Sequence, residues 1–318
     1  MIKIRRILCP TTLSAESDEA LLYALGLARA YDAQLTVCYA ASKNELSGAG
    51  RVGAELSYAT SHGRVRELFE GSLLKYLPPV TFVNLDWQAI VVEEDDVGEA
   101  ITRTAAEQGV DLIVMRSRRR PHRAAVLGST AESVSRKAPC PVLVTHTDER
   151  EWIEKESGKI MLKRILVAYD FSDYSELALN YALSLAQEHQ AELHLLHVLP
   201  DGSVNGPELS WYPMGKDTAY HQAARRLQRA IPEETYLWCE IKHAVVEGHP
   251  YREILNYAEK HAIDLISLGA HGAGFGMRAL FGSNVDRVLR QAPCPVLVAR
   301  PLKPAILKKT EFKLARAV

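Results

Sequence analysis

Residues 264–298, DLISLGAHGAGFGMRALFGSNVDRVLRQAPCPVLV, repeat residues 111–144, DLIVMRSRRRPHRAAVLGSTAESVSRKAPCPVLV. The likeness reaches upstream. Residues 5–40 align without a gap on 163–198, so that Tyr23, Ala24, Leu25, Leu27 and Ala28 fall on Tyr181, Ala182, Leu183, Leu185 and Ala186. The middle aligns more loosely, VVEEDDVGEAITRTAAEQGVDLI on VVEGHPYREILNYAEKHAIDLI. Solenoid units run roughly 20–50 residues in longer arrays, so two long copies mean two tandem domains. The 318-residue length at roughly 150 residues per domain gives the same count.

The clearer copy alternates strands with helices. Ile165-Leu166-Val167 reads as a buried strand, and Asp170-Phe171-Ser172-Asp173 supplies the small polar groups that accept from orphan N–H groups at a helix start. Helices are expected over 174–189, 217–231, 251–262 and 283–291, and further strands over 193–198, the run LWCEIKHAVVEG (237–248), 264–269 and 295–299. Alternation of this kind predicts an α/β fold: two tandem, doubly wound, five-stranded parallel-sheet domains of Rossmann-like architecture. In such sheets ligands lie beyond the carboxyl ends of the strands, where strand order reverses. Here that joins Asp170, after the first strand, to the loop starting at Gly269, after the fourth. The expected limits are a first domain over 1–147, a charged linker or exposed helix over 148–160, a second domain over 161–302 and a basic tail over 303–318.

A net charge of −1 gives no global reason to expect nucleic acid or an anionic membrane as partner. No apolar run approaches the roughly 18–20 residues of a membrane span, and MIKIRRILCP enters a strand without a leader's apolar core, so a cytoplasmic location is expected. The five cysteines, Cys9, Cys38, Cys140, Cys239 and Cys294, form no C-x-x-C pair and are read mainly as buried structural thiols. His194 and His197, three apart on a strand, should face opposite sides, and no helix carries H-x-x-x-H, so no metal-ligand set is assigned.

The chemistry concentrates at Gly269, Gly272, Gly282 and Ser283. Glycine lets backbone approach a phosphate closely, and Ser283 and Asn284 open a helix whose free N–H groups favour an anion. A flexible turn would use the same glycines. The chain has no G-x-x-x-x-G-K-[ST], and no G-x-G-x-x-G follows the first strand, which argues against a P-loop enzyme and a dinucleotide dehydrogenase.

With G-2x-G-9x-G-[S/T] complete in the second copy and ILVAYDFS at its first strand, the sequence resembles the universal stress protein family over both halves. The resemblance implies an adenine nucleotide alpha hydrolase-like fold and a pseudo-dimer in which PVLVTH and PVLVAR pair. It implies ATP or ADP, with Mg²⁺, as ligand. Asp170 would then contact the ribose and the backbone of Val198 the adenine, while Gly269, His271, Gly272, Gly282, Ser283 and Asn284 would cradle the phosphates. From the residues alone, a helix cap is the lesser alternative for Asp170, whereas Val198 could equally be a core residue.

In the first copy Thr12 stands for Asp170, Arg116 for Gly269 and Arg119 for Gly272. This half is expected not to bind nucleotide in the family manner. Arg116, Arg118, Arg119, Arg120, His122 and Arg123 form either an anion site or, preferred here, a loop that pairs locally, with Glu93-Glu94-Asp95-Asp96 as candidate partners. The leading functional reading is a nucleotide-binding stress-response or regulatory switch, with a homo-oligomer or a regulatory protein as partner. A slow ATPase or phosphotransferase, and a nucleotide-free interaction module, stand as alternatives.

Overall fold

The computed structural model describes residues 2–12, 15–41, 70–71, 85–117, 127–146, 149–154, 158–200, 216–272 and 282–302. The first half runs β1 (Arg6–Thr11), α1 (Ala15–Tyr31), β2 (Gln34–Ala41), β3 (Trp87–Glu93), α2 (Val97–Gln108), β4 (Leu112–Arg116), α3 (Ser129–Lys137) and β5 (Val142–Thr145). The second runs β6 (Arg164–Ala168), α4 (Asp173–His189), β7 (Glu192–Leu199), α5 (Lys216–Ala230), a 3-10 turn (Glu233–Leu237), β8 (Ile241–Glu247), α6 (Pro250–Lys260), β9 (Leu265–Gly269), α7 (Ser283–Gln291) and β10 (Val296–Ala299).

The strands form one ten-stranded sheet in the order β3-β2-β1-β4-β5-β10-β9-β6-β7-β8. Each half is parallel throughout, with its first strand between its second and fourth. Order therefore reverses beside β1 and beside β6, and crevices open at their carboxyl ends. The halves meet where β5 and β10 pair antiparallel, Val142 opposite Val298 and Val144 opposite Val296. This is the expected pseudo-dimer: equivalent strands pair as in a two-fold dimer, here within one chain.

Helices cover both faces, which is why the central strands bury apolar residues on both faces rather than alternately. Ile165, Val167, Leu193 and Leu195 pack with Tyr181, Ala182 and Leu227 on one face. Leu166, Ile266 and Val298 pack with Ile101, Val134, Ile254 and Val288 on the other. Ser172 caps α4 by accepting from the Ser175 N–H at 3.2 Å, and left-handed Gln190 (φ 52°) ends it. Among the described residues no helix is long and apolar enough to cross a membrane, and no three His, Cys, Asp or Glu side chains assemble as metal ligands would.

Two local expectations are corrected. The strand expected from Leu237 begins only at Ile241; Leu237 closes the 3-10 turn and is 87% exposed. The connection, expected as a charged linker or an exposed helix, is not helical where it is described. Trp152 and Ile153 are buried, and Ile153 bridges Ile160. A Cβ on Gly26 in α1 would lie 2.6 Å from Ile153 Cδ1, so the missing side chain makes room for the strap. The Trp152 N–H donates to the Tyr23 hydroxyl at 3.3 Å, and the Arg150 N–H to the Pro293 carbonyl at 2.8 Å, tying the connection to both halves.

All five cysteines are free and buried. Burial pushes the Cys38 and Cys140 thiols up to about 12, so they act as small hydrophobes and not as nucleophiles. His194 and His197 face opposite sides of the sheet: His194 Nδ1 meets the Tyr257 hydroxyl on α6 at 3.0 Å, and His197 Nδ1 donates to the Tyr169 carbonyl at 2.7 Å. Burial lowers the pKa of His189, His194, His197 and His243 below the ordinary 6.5, outweighing the pull of Glu192 on His194. Below that value the unfolded chain takes up protons that the fold excludes, so stability is full above pH 6.5 and falls as the solution is acidified. Urea midpoints should therefore drop between about pH 7.5 and 5.5, above the main carboxylate range. A flat or rising profile would contradict this assignment.

Candidate functional site

At the end of β6 the chain turns through Tyr169, Asp170 and Phe171 before α4 begins. Ser172 donates to Asp170 Oδ1 from its backbone N–H (3.1 Å) and its hydroxyl (2.5 Å). Ser172 is thus the helix cap, and Asp170 is a carboxylate held two residues before it. The other oxygen, Oδ2, lies where the loop after β9 passes overhead: a Cβ on Gly272 would stand 2.8 Å from it. The acid after the first strand and the glycine loop after the fourth, 102 positions apart in the numbering, therefore meet at the switch point.

Phe171 is held in the left-handed region (φ 64°), a strained conformation for a bulky residue. Its ring is held by neighbours: the Arg226 guanidinium lies over it, 3.7 Å from its centroid, and the His197 ring is 4.5 Å away. Sequence pattern carries no sign of this strain, because no residue type marks a left-handed phenylalanine.

The remaining expected residues separate by what surrounds them. A Cβ on Gly269 would lie 2.6 to 2.8 Å from the carbonyl carbon, Cβ and oxygen of Tyr174, so close packing of β9 on α4 by itself requires glycine here. Gly269→Ala should accordingly cost about 1–3 kcal/mol of stability, read by urea unfolding; an unchanged midpoint would refute the packing assignment. His271 sets its ring edge-on to Tyr174 at 4.8 Å. Gly282 has an ordinary φ of −58°, and among the described residues a Cβ there would make only ordinary contacts, with Val285 at 3.4 Å and the Ala270 carbonyl at 3.7 Å. Ser283 and Asn284 are exposed at the first turn of α7, which has no side-chain cap. Val198, half-buried at the end of β7 opposite Val246, keeps both readings open, backbone contact and core packing.

The first half is built differently. Arg116, at the place of Gly269, is 7% exposed in its side chain and pairs with Glu19 of α1 at 2.7 Å. Glu19 is thus a local partner outside the acidic run, in which Glu94 pairs with Arg103 at 2.6 Å. Thr12 is exposed at the Asp170 position. Arg118, Arg119, Arg120, His122 and Arg123 lie outside the described residues, as does the tail beyond 302.

The sequence model of the Universal stress protein family matches this chain twice, over residues 3–146 and 161–300. Universal stress protein MJ0531 of Methanocaldococcus jannaschii is 33% identical over 151 residues, which are 46% of this chain and 87% of that protein. Universal stress protein Rv2623 of Mycobacterium tuberculosis is 30% identical over 215 residues, 66% of this chain and 68% of its own. A solved universal stress protein from Archaeoglobus fulgidus shares the fold, with a TM-score of 0.62 at 23% identity over 94% of this chain and 97% of that one. With the motif, the edge-to-edge pairing and a separate match for each half in agreement, the chain belongs to the universal stress protein family and carries two of its domains in tandem.

Proposed function

We propose that the second half binds ATP or ADP with Mg²⁺, that the first half does not, and that the protein works as a stress-response or regulatory switch. The observation that carries this reading is the juxtaposition of Asp170 Oδ2 with the bare Cα of Gly272. A carboxylate oxygen suited to ribose hydroxyls stands beside backbone that a phosphate can approach. The donor set fits a magnesium nucleotide. The uncapped N-terminus of α7 offers N–H groups to phosphate oxygens. The Ser283 hydroxyl and His271 would sit beside the same phosphates, and the Val198 backbone would read the adenine edge. Gly282, which neither its φ nor its packing demands, is accounted for by ligand access. In the first half the buried Arg116 side chain, paired with half-buried Glu19, stands where that approach would begin.

Ligand at this crevice would touch β6, β9 and α7 together, and β9 pairs with β10, the seam strand of the second half. Binding at 100 times Kd would then stabilise the assembly by about 2.7 kcal/mol, the linkage a switch requires. Calorimetric titration with ATP and ADP in magnesium, beside GTP, tests the proposal. Saturable adenine-nucleotide binding that raises the melting temperature is expected; no binding overturns it. ATP turnover above background, lost in Asp170→Asn, would replace the switch by the slow-enzyme alternative.

A further inference from the structure

His197 lies on β7, one residue before Val198, and is buried. Its Nδ1–H donates to the Tyr169 carbonyl at 2.7 Å. That carbonyl belongs to the peptide joining Tyr169 to Asp170, and a planar peptide fixed at its oxygen also fixes the direction in which the next residue leaves. The His197 ring lies 4.5 Å from the Phe171 ring, which Tyr169 meets edge-on at 5.3 Å. One side chain thus holds both neighbours of Asp170. The turn requires such contacts: Phe171 is left-handed at φ 64°, and a conformation of this kind persists only where its surroundings over-determine it. Burial disfavours the charged form of His197, so the ring stays neutral with its proton on the nitrogen that meets the carbonyl.

The first half offers a comparison. In the gap-free alignment Tyr39 stands at the place of His197, and Thr12 at that of Asp170. A tyrosine carries its one polar group at the far end of the ring, so it does not reproduce a donor at Nδ1. The half expected to bind no nucleotide therefore lacks both the acid and the residue that holds its turn. We infer that His197 is a positioning residue of the second half: through the Tyr169 carbonyl and the Phe171 ring it sets Asp170 for the ribose hydroxyls, without touching the ligand itself. Ser172 holds Oδ1, His197 holds the main chain on either side, and together they keep Oδ2 beside Gly272. This rests on the nucleotide reading and deepens it, since the preference for ribose over its deoxy forms is assigned to a residue behind the carboxylate.

Calorimetry on the full chain, with ATP and 2′,3′-dideoxy-ATP in magnesium, tests this in wild type, His197→Leu and His197→Asn, alongside urea unfolding without ligand. Wild type should prefer ATP by about 10- to 100-fold, the worth of a hydrogen bond to a charged group. His197→Leu should reduce that preference to less than about 3-fold by weakening ATP, with dideoxy-ATP unchanged. His197→Asn should fall between, since its amide keeps an N–H near the place of Nδ1 and loses the ring against Phe171; if the leucine variant does not fold, the asparagine variant decides alone. A preference equal to wild type in the folded variants overturns the assignment. So does an equal loss of both nucleotides, which would make His197 a residue of the fold only. Wild type that binds the two alike overturns Asp170 as the ribose contact and this inference with it, and wild type that binds neither overturns the nucleotide reading as well.

Discussion

Valine in place of Gly272 is expected to weaken ATP and ADP binding by ~100-fold or more, while the melting temperature of the free protein moves by only about 3 °C. The asymmetry follows from what surrounds the position. Among the described residues, a Cβ there meets only the tip of the Asp170 carboxylate, at 2.8 Å. A carboxylate tip can swing away, so the fold tolerates the change, but Asp170 then leaves its place and the branched side chain occupies the approach. Two charge-assisted hydrogen bonds at about 1.5–3 kcal/mol each account for the ~100-fold figure. Three residues earlier the logic reverses, since Gly269 abuts the Tyr174 backbone, which cannot swing. Parallel titration and calorimetric melts of the Gly272→Val and Gly269→Ala variants should show binding lost in the first and stability lost in the second. Equal ATP affinity in Gly272→Val and wild type would contradict the site.

The second large effect is expected at the connection. Trp152 is 2% exposed and sets its ring edge-on to Tyr23, with centroids 4.6 Å apart at 72°. It also lines, with Leu27 and Leu143 of one half and Tyr181 and Leu297 of the other, a small apolar cavity at the seam. Removing the indole enlarges a void that both cores share, so Trp152→Ala should cost about 3–5 kcal/mol. Urea unfolding followed by far-UV circular dichroism reads this directly. Trp152→Phe, which keeps an aromatic ring against Tyr23, should recover much of the loss. A change under about 1 kcal/mol would mean that the connection merely links the halves.

The repeat made the tandem fold legible, because apolar runs between helix starts leave a doubly wound sheet as their solution. The meeting of Asp170 with the glycine loop was legible too, because strand order alone brings the ends of β6 and β9 together. The packed connection was not. Its composition is charged, and two buried residues, Trp152 and Ile153, hold it through contacts that have no local pattern. The apolar Leu237 and Trp238 extended a strand on paper, yet they stand exposed at 87% and 39% around the turn before it. The two site glycines look alike in sequence, and neighbours alone tell the packing glycine from the one over the carboxylate.

The central claim is one nucleotide position per chain, in the second half. Native mass spectrometry of the gently purified protein, loaded with magnesium ATP, measures it most directly. The predicted result is a single added nucleotide on wild type, absent from Gly272→Val and retained when Arg116 is replaced. Two nucleotides on wild type, or one that persists in Gly272→Val and disappears on changing Arg116, would contradict the account.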